Sequence, residues 1–180
     1  KKISKKYNFQ LINDNCHAMG AKLNGKEYAL RYADIATHSY HPVKNFTTGE
    51  GGAILTNNKK IFERVKSLRN HGLEKIKNNN ELWPFRMRRL GFNYRITDIQ
   101  CALGLSQLKK LGKFLNRRKQ IANIYDKELK KINCLTLQSK IRNYQNAYHI
   151  YPVKIDFKKA KISKRKLIKI FKSKNIFPQI

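Results

Sequence analysis

Three short apolar segments, each followed by polar residues, constrain the fold of this chain most. Residues 9–12 (FQLI), 32–40 (YADIATHSY) and 53–56 (AILT) have the length and composition of β-strands. The first is typical of the end of a buried strand, and the Asn-Asp-Asn that follows puts Asp14 at its carboxyl edge. Ligands of open α/β sheets gather at the carboxyl ends of strands. We therefore expect an α/β fold with functional side chains at these strand ends.

A helical pattern follows the third strand. From residue 59 to residue 70 the apolar side chains recur at helical spacing, with Asn57 or Asn58 as the N-cap. The His-Gly pair at 71–72 is expected to end this helix. Residues 73–90 are rich in Lys and Asn, so we predict a loop there.

The second half of the chain is mostly helical in pattern. A helix is predicted to begin at residues 97–98 and to break at Gly112, and a second one to run over about 114–132. Residues 149–156 (HIYPVKID) are predicted to form a strand, and the proline inside it favours an edge position. A basic amphipathic helix is predicted over residues 164–174.

The chain is strongly basic, with a net charge of +29 from 40 Lys+Arg and 11 Asp+Glu. Such an excess normally suggests nucleic acid or an anionic membrane as a partner. Most of these residues are lysines, spread over the whole chain together with many Asn and Ile, and no zinc-finger spacing, RNA-binding strand signature or basic heptad accompanies them. We favour compositional drift over a specific nucleic-acid partner. A basic binding module that uses residues 140–146 and 161–174 stays as the alternative.

The cysteine pattern indicates the compartment. Cys16, Cys101 and Cys134 form no CxxC pair and no even disulfide framework, so we expect a reducing cytoplasm and no metal site. No run of eighteen apolar residues predicts a membrane span. The basic start lacks the apolar core of a signal peptide, and both ends of the chain are expected to be cut from a longer protein.

One lysine lies in unusual surroundings, in the segment HPVKNFTTGEGG at residues 41–52. A lysine that forms a Schiff base must be reachable, partly desolvated and fixed in place, because its ordinary pKa leaves little free amine at neutral pH. Lys44 meets this description, since a proline and a glycine-rich turn flank it. The hydroxyls of Ser39, Thr47 and Thr48 could donate to a phosphate. The alternative is an ordinary surface lysine in a turn.

Two further polar residues come before this segment. A carboxylate at position 14 can pair with a protonated pyridine nitrogen and keep the ring an electron sink. His17 could donate to a phenolic oxygen of such a ring or stack on its face. The alternatives are a turn or capping role for Asp14 and an ordinary polar role at a helix start for His17.

Four segments together resemble the DegT/StrS-type sugar aminotransferases, which are fold-type-I enzymes dependent on pyridoxal 5'-phosphate. The segments are DNCHAMGA at 14–21, the run from ADIATHSYHPVK to AILTN at 33–57, RNHG at 69–72, and the run from GFNYRITDIQ to LSQLKKL at 91–111. The stretch at 93–111 and the later YHIYPVKID are most similar to family members of the pseudaminic acid pathway.

The resemblance implies a role for each site residue. It makes Lys44 the catalytic lysine that binds the cofactor covalently and Asp14 the partner of the pyridine nitrogen. It places His17 near the phenolic oxygen of the cofactor and makes Ser39 a phosphate contact. It also implies that Asn93 reaches the cofactor phosphate of the neighbouring subunit in a homodimer with shared sites.

The resemblance also implies the organisation and the reaction. Residues 1–112 would be the C-terminal half of the large cofactor-binding domain, and residues 113–180 a linker helix and the start of the smaller domain. The reaction would move an amino group from glutamate to a UDP-linked 4-keto-6-deoxy sugar. Family members are considerably longer and supply a further phosphate-binding turn and a ring-stacking residue from their N-terminal half. The chain is therefore expected to be an internal fragment, and an inactive fragment stays as an alternative.

Overall fold

The computed structural model describes residues 1–76 and 82–179, which form an α/β structure. Its elements in chain order are α1 (Lys2–Lys6), β1 (Ile12–Asp14), β2 (Lys22–Leu23), β3 (Lys26–Glu27), β4 (Ile35–Ser39), β5 (Gly52–Thr56), α2 (Lys59–Leu68), β6 (Leu73–Lys75), β7 (Phe85–Met87), α3 (Asp98–Leu129), β8 (Leu135–Leu137), β9 (Tyr144–Gln145), β10 (Val153–Ile155) and α4 (Lys164–Ser173).

The central sheet has three strands in the order β1-β4-β5. β1 runs parallel to β4, with Asp14 opposite Thr37, and β5 runs antiparallel to β4, with Gly52 opposite Ser39. The backbone N–H of Asn15 extends the parallel pairing to the carbonyl of Thr37 at 3.0 Å. The carboxyl ends of β1 and β4 therefore lie at one edge of the sheet, as predicted.

The first strand differs from its prediction in position and burial. Residues 9–12 were expected to be the end of a buried strand, but β1 covers Ile12–Asp14. The side chain of Ile12 is 64% exposed and that of Phe9 is 46% exposed. The prediction of a buried strand is wrong for this chain, because β1 is an edge strand and two of its three residues, Ile12 and Asp14, are exposed.

The helix after the central sheet agrees with its pattern, whereas the loop after it does not. The side chain of Asn58 caps α2 by accepting from the N–H groups of residues 60 and 61. In place of the predicted loop over 73–90, β6 and β7 form an antiparallel pair with Leu73 opposite Met87. The pairing satisfies backbone groups that a loop would leave to water. The lysine- and asparagine-rich residues 77–81 of this segment lie outside the described residues.

The long helix α3 is the largest departure from the sequence analysis. Thr97 and Gln100 form a capping box at its start, as expected for a strong N-terminal signal. The predicted break at Gly112 is wrong, since α3 continues unbroken to Leu129 and absorbs most of the predicted second helix. One glycine inside a helix costs only about 1 kcal/mol, which the surrounding good helix formers offset. The domain boundary predicted at 112/113 falls inside this helix and stays a prediction.

The C-terminal part forms small sheets and one helix. β10 pairs antiparallel with β8 in a two-stranded sheet, so the strand predicted over 149–156 is confirmed only for Val153–Ile155 near its C-terminal end, and it is an edge strand. β9 pairs with β2, which joins the C-terminal part to the segment after β1. The helix α4 is capped by Ser163, and none of its residues is fully buried. None of the described helices is both long and apolar enough to cross a membrane.

The core near the central sheet is built from small side chains and one ring. Its buried apolar members among the described residues are Ala21, Ala33, Ala36, Phe46, Ala122 and Ala147. α3 approaches the loop after β4 at Gly104, where an added Cβ would lie 2.9 Å from Thr48 Cγ2 and 3.4 Å from Phe46 Cζ. A glycine is therefore needed here so that α3 can pack directly on the loop that contains Lys44.

Candidate active site

A carboxylate and a thiol lie at the end of β1. The backbone N–H of Cys16 donates to Asp14 Oδ1 at 3.1 Å, in a turn that the sequence Asp-Asn-Cys forms directly after the strand. Hydrogen bonds from the side chain and backbone of Cys16 hold the pKa of the Asp14 carboxyl below its ordinary value. Burial, with the hydrogen bond to Asp14, raises the pKa of the Cys16 thiol. The corner therefore presents an ionised carboxylate beside a neutral thiol.

A second side of the site is a pair of imidazoles. The ring centroids of His17 and His149 are 4.4 Å apart, although the two residues come from opposite ends of the chain. Burial, with smaller electrostatic contributions from His17, Lys44 and Arg118, lowers the pKa of His149 to about 4. His149 is thus neutral at physiological pH.

The loop with Lys44 is fixed by its own hydrogen bonds. Lys44 N donates to His41 O at 3.0 Å, Thr47 Oγ1 to Tyr40 O at 2.8 Å, and Thr48 Oγ1 to Glu50 O at 2.6 Å. The two threonine hydroxyl protons, predicted as phosphate donors, are thus already donated to carbonyls of the loop. Lys44 is half-buried, and its charge acts on both Cys16 and His149.

Ser39 is the last residue of β4 and lies at the same sheet edge as Asp14. Its hydroxyl oxygen accepts from the N–H of His41 at 3.4 Å. Within residues 1–76 and 82–179 its own proton is donated to no other group. Ser39 therefore keeps a free donor at the strand end, which suits a phosphate contact.

Asn93 lies apart from this cluster. It forms an isolated bridge with Asn70, and its side chain accepts from the N–H of Arg95 at 3.4 Å. Asn93 is exposed, and no hydrogen bond or ion pair in the described part of the chain joins it to Lys44 or Asp14. The structure thus brings together four of the five predicted residues and leaves the fifth on the surface.

Three residues near Lys44 were missed by the sequence analysis. His149 was read only as the start of a strand, yet it contacts His17. Asn45 is buried and donates to the carbonyl of Ala147 at 3.0 Å. Arg118 on α3 donates to the carbonyls of Tyr148 and His149. No local pattern marks these contacts, because each joins segments far apart in the sequence.

The arrangement combines a half-buried primary amine, an ionised carboxylate, a neutral imidazole and a free hydroxyl. These are the groups that amino-group chemistry with an aldehyde-bearing, phosphorylated pyridine cofactor requires. The carboxylate suits a cationic ring nitrogen, and the hydroxyl suits a phosphate. The donor set of this chain therefore fits pyridoxal phosphate.

Comparison with known proteins gives matches over the whole chain. The model of the DegT/DnrJ/EryC1/StrS aminotransferase family matches residues 1–180. A UDP-4-amino-4,6-dideoxy-N-acetyl-beta-L-altrosamine transaminase of Campylobacter jejuni subsp. jejuni (strain 81-176) is 44% identical over 152 residues, which are 84% of this chain and 39% of that protein.

Solved structures agree with the family match. Helicobacter pylori PseC, described as an aminotransferase involved in the biosynthesis of pseudoaminic acid, superposes with a TM-score of 0.81 at 32% identity, over 93% of this chain and 43% of its own. The PLP-form of the putative sugar aminotransferase Spr1654 from Streptococcus pneumoniae superposes with a TM-score of 0.76 at 24% identity, over 96% and 44%. The predicted α/β, fold-type-I class is confirmed. The chain spans about two fifths of the length of the proteins it matches.

Proposed function

Because this chain belongs to the DegT/DnrJ/EryC1/StrS aminotransferase family, we propose that it carries the lysine-bearing half of the active site of a pyridoxal-phosphate-dependent sugar aminotransferase. The observation that supports the proposal is the electrostatic influence of Lys44 on its surroundings. Its charge reaches Cys16, which is hydrogen-bonded to Asp14, and His149, which contacts His17. These interactions support a site in which the amine, the carboxylate and the imidazoles act together.

Each residue would hold the cofactor by a different group. When bound, pyridoxal phosphate supplies an electron sink for the reacting carbon of the amino donor. Lys44 would bind it covalently, the Asp14 carboxylate would pair with its ring nitrogen, His17 would lie at its phenolic oxygen, and the Ser39 hydroxyl would donate to its phosphate. The lowered pKa of Asp14 supports this pairing, because only the ionised carboxylate attracts a protonated nitrogen.

Lys44 would also move protons during the reaction. A primary amine at the sheet edge can act as general base and then as general acid at the same carbon, provided that it is deprotonated in part. Neutral His149 and neutral Cys16 add no charge of their own beside the amine. The hydrogen bonds of residues 47 and 48 hold the loop backbone, so the backbone from which Lys44 extends keeps its position.

The similarity to the Campylobacter jejuni and Helicobacter pylori proteins supports a proposal for the substrates. We propose a UDP-linked 4-keto-6-deoxy sugar as the amino acceptor, L-glutamate as the amino donor and surface-sugar biosynthesis of the pseudaminic acid type as the setting. The proposed compartment is the cytoplasm, which agrees with three cysteines that are all free. The proposed division into residues 1–112 and 113–180 would place His149 on the smaller domain.

A homodimer with shared sites is the proposed assembly. Large apolar side chains are exposed around Asn93, namely Leu82, Trp83, Phe85, Met87, Leu90, Phe92 and Tyr94. An exposed apolar patch of this kind marks an interaction surface. Asn93, which lies between Phe92 and Tyr94 in the sequence, would reach the cofactor phosphate of the partner, in keeping with the absence of a hydrogen bond or ion pair between it and Lys44 of its own chain in the described residues.

The experiment that tests the proposal identifies the modified lysine. The natural full-length protein that contains these residues is loaded with pyridoxal phosphate, reduced with borohydride and digested, and the labelled peptide is identified by mass spectrometry. We expect the label on Lys44 and loss of both the visible absorption band and transamination in Lys44→Ala. Lys60→Ala, an exposed lysine of α2, is the matched control and should keep both. A label on another lysine would overturn the assignment.

The shared site has its own test. Lys44→Ala and Asn93→Ala variants are each purified and then mixed so that their subunits exchange. A random mixture should regain about one quarter of the native activity, since half of the dimers are mixed and each mixed dimer has one intact site. No recovery after proven exchange would show that Lys44 and Asn93 act within one chain.

A further inference from the structure

The segment 147–149 is held to the rest of the site by two side chains. Asn45 Nδ2 donates to Ala147 O at 3.0 Å and to Met19 O at 3.4 Å. Arg118 Nη1 donates to Tyr148 O at 3.1 Å and to His149 O at 3.2 Å. Three consecutive backbone carbonyls therefore accept hydrogen bonds from side chains. Asn45, the neighbour of Lys44, binds the first, and Arg118 of α3 binds the other two.

The segment would not keep this shape by itself. Tyr148 has φ +48°, a left-handed conformation that is unfavourable for a residue with a Cβ. Asn146 supports it locally by accepting from Tyr148 N at 2.8 Å. Asn45 is only 4% exposed, so its hydrogen bonds are shielded from competition with water. Loss of these bonds should let the segment relax and carry His149 away from His17.

We propose that Asn45 and Arg118 are positioning residues of the active site, which lock the segment 147–149 onto the Lys44 loop and hold the imidazole of His149 against His17. This inference rests on the proposed function, because it assigns the two residues to the same aminotransferase site. It adds a role for Asn45, which the sequence places next to Lys44, and for a residue in the middle of α3.

The lock has a chemical consequence for Lys44. The charged and titratable groups that face His149 are His17, Lys44 and Arg118. While these hydrogen bonds hold the segment in place, burial keeps the imidazole of His149 neutral. His149 then adds no positive charge beside the Lys44 amine. If the segment relaxed, the imidazole of His149 would become hydrated and would protonate near neutral pH. Its positive charge would then repel positive charge on neighbouring groups. Asn45 thus links the position of the His149 imidazole to the proposed proton transfer by Lys44.

The test begins with the cofactor-free full-length protein, so that it does not depend on activity. The variant Asn45→Leu keeps the side-chain volume and removes the donors. Arg118→Lys is a milder second variant that keeps the charge and loses the forked guanidinium. The matched controls are Asn116→Leu and Arg117→Lys, exposed residues of the same helix. The pKa of His149 is measured by NMR titration of the imidazole signals, assigned with His149→Gln.

We expect the pKa of His149 to rise from about 4 toward its ordinary value of 6.5 in Asn45→Leu and to stay unchanged in the controls. In the loaded enzyme, kcat should fall at least about tenfold in Asn45→Leu, while KM for the amino donor changes by less than about threefold. A merely structural role would lower the melting temperature and leave the His149 titration in the folded protein unchanged.

The possible results distinguish the positioning role of Asn45 and Arg118 from the proposed function. An unchanged His149 titration in both Asn45→Leu and Arg118→Lys overturns the positioning role, whatever happens to activity. A shifted titration in a protein that never binds pyridoxal phosphate supports the lock and refutes the proposed function instead. If Asn45→Leu fails to fold, Arg118→Lys carries the same test.

Discussion

Replacing Phe46 by alanine is expected to destabilise the protein more than any other single truncation of a ring in the described chain. Phe46 is 4% exposed and is the one large apolar side chain that is buried among residues 1–76 and 82–179. Its ring lies edge-to-face against Tyr40, with centroids 4.8 Å apart at 90°. It also contacts α3 where Gly104 allows a close approach.

These contacts give the size of the effect. Truncating a buried Phe to Ala costs about 3–5 kcal/mol, of which an edge-to-face ring pair contributes about 1 kcal/mol. A domain of ordinary stability has only about 5–15 kcal/mol in total. Phe46→Leu retains part of the volume and loses the ring pair, so we expect a cost of roughly 1–2 kcal/mol.

Urea unfolding of the full-length protein, followed by far-UV circular dichroism, measures the free energy of unfolding of each variant. An unchanged dependence on urea concentration would show that the native and unfolded states are comparable between variants. Phe62→Ala is the control, because that ring is 52% exposed, and it should cost less than about 1 kcal/mol. A cost below about 1 kcal/mol for Phe46→Ala would show that the loop of Lys44 is not held by this ring.

Three further predictions concern the site and the charge. Asp14→Asn should leave part of the cofactor binding intact and lower kcat of the amino-donor half-reaction more than about tenfold, and a smaller loss would argue against its pairing with the ring nitrogen. Since the pKa of His149 is about 4 when folded and 6.5 ordinarily, the unfolded state takes up its proton first as the pH falls. The free energy of unfolding should therefore drop between about pH 6.5 and 4, by at most about 1.4 kcal/mol per pH unit from this group, and His149→Gln should reduce that slope. DNA affinity should be weak and fall steeply with salt, as nonspecific phosphate contacts do, and tight binding of one defined sequence in a gel-shift titration would contradict this.

The elements that could be predicted are those whose signals are local. The caps of α2 and α3 depend on hydrogen bonds between residues two or three apart, so Asn58 and Thr97 were identifiable in the sequence. The break predicted at Gly112 was wrong because the helix-propensity cost of one glycine is small compared with the summed helix propensities of the residues around it. The pairing of β6 with β7 was missed because its partners are separated by residues of loop-like composition.

The site residues likewise fall into those that a local signal could place and those that it could not. Asp14 and Ser39 could be placed at one sheet edge, because the ends of parallel strands meet there. The role of Lys44 needed the resemblance, since a lysine in a turn is otherwise unremarkable. His149 could not be placed, because its contact with His17 depends on the pairing of β9 with β2 and on the hydrogen bonds of Asn45 and Arg118. Such contacts leave no periodic pattern in the sequence.

The unbroken course of α3 limits which insertions and deletions this protein can tolerate during evolution. Each residue added to an α-helix rotates everything beyond it by about 100° and shifts it by about 1.5 Å. α3 contacts the Lys44 loop at Gly104, the segment after β1 through Leu115, which fills the space beside Gly20, and the segment of His149 through Arg118. A single inserted residue between Gly104 and Leu115 would turn both later contacts away from their partners. Length variation among natural homologues should therefore be concentrated outside Asp98–Leu129, even though most side chains of this helix face solvent.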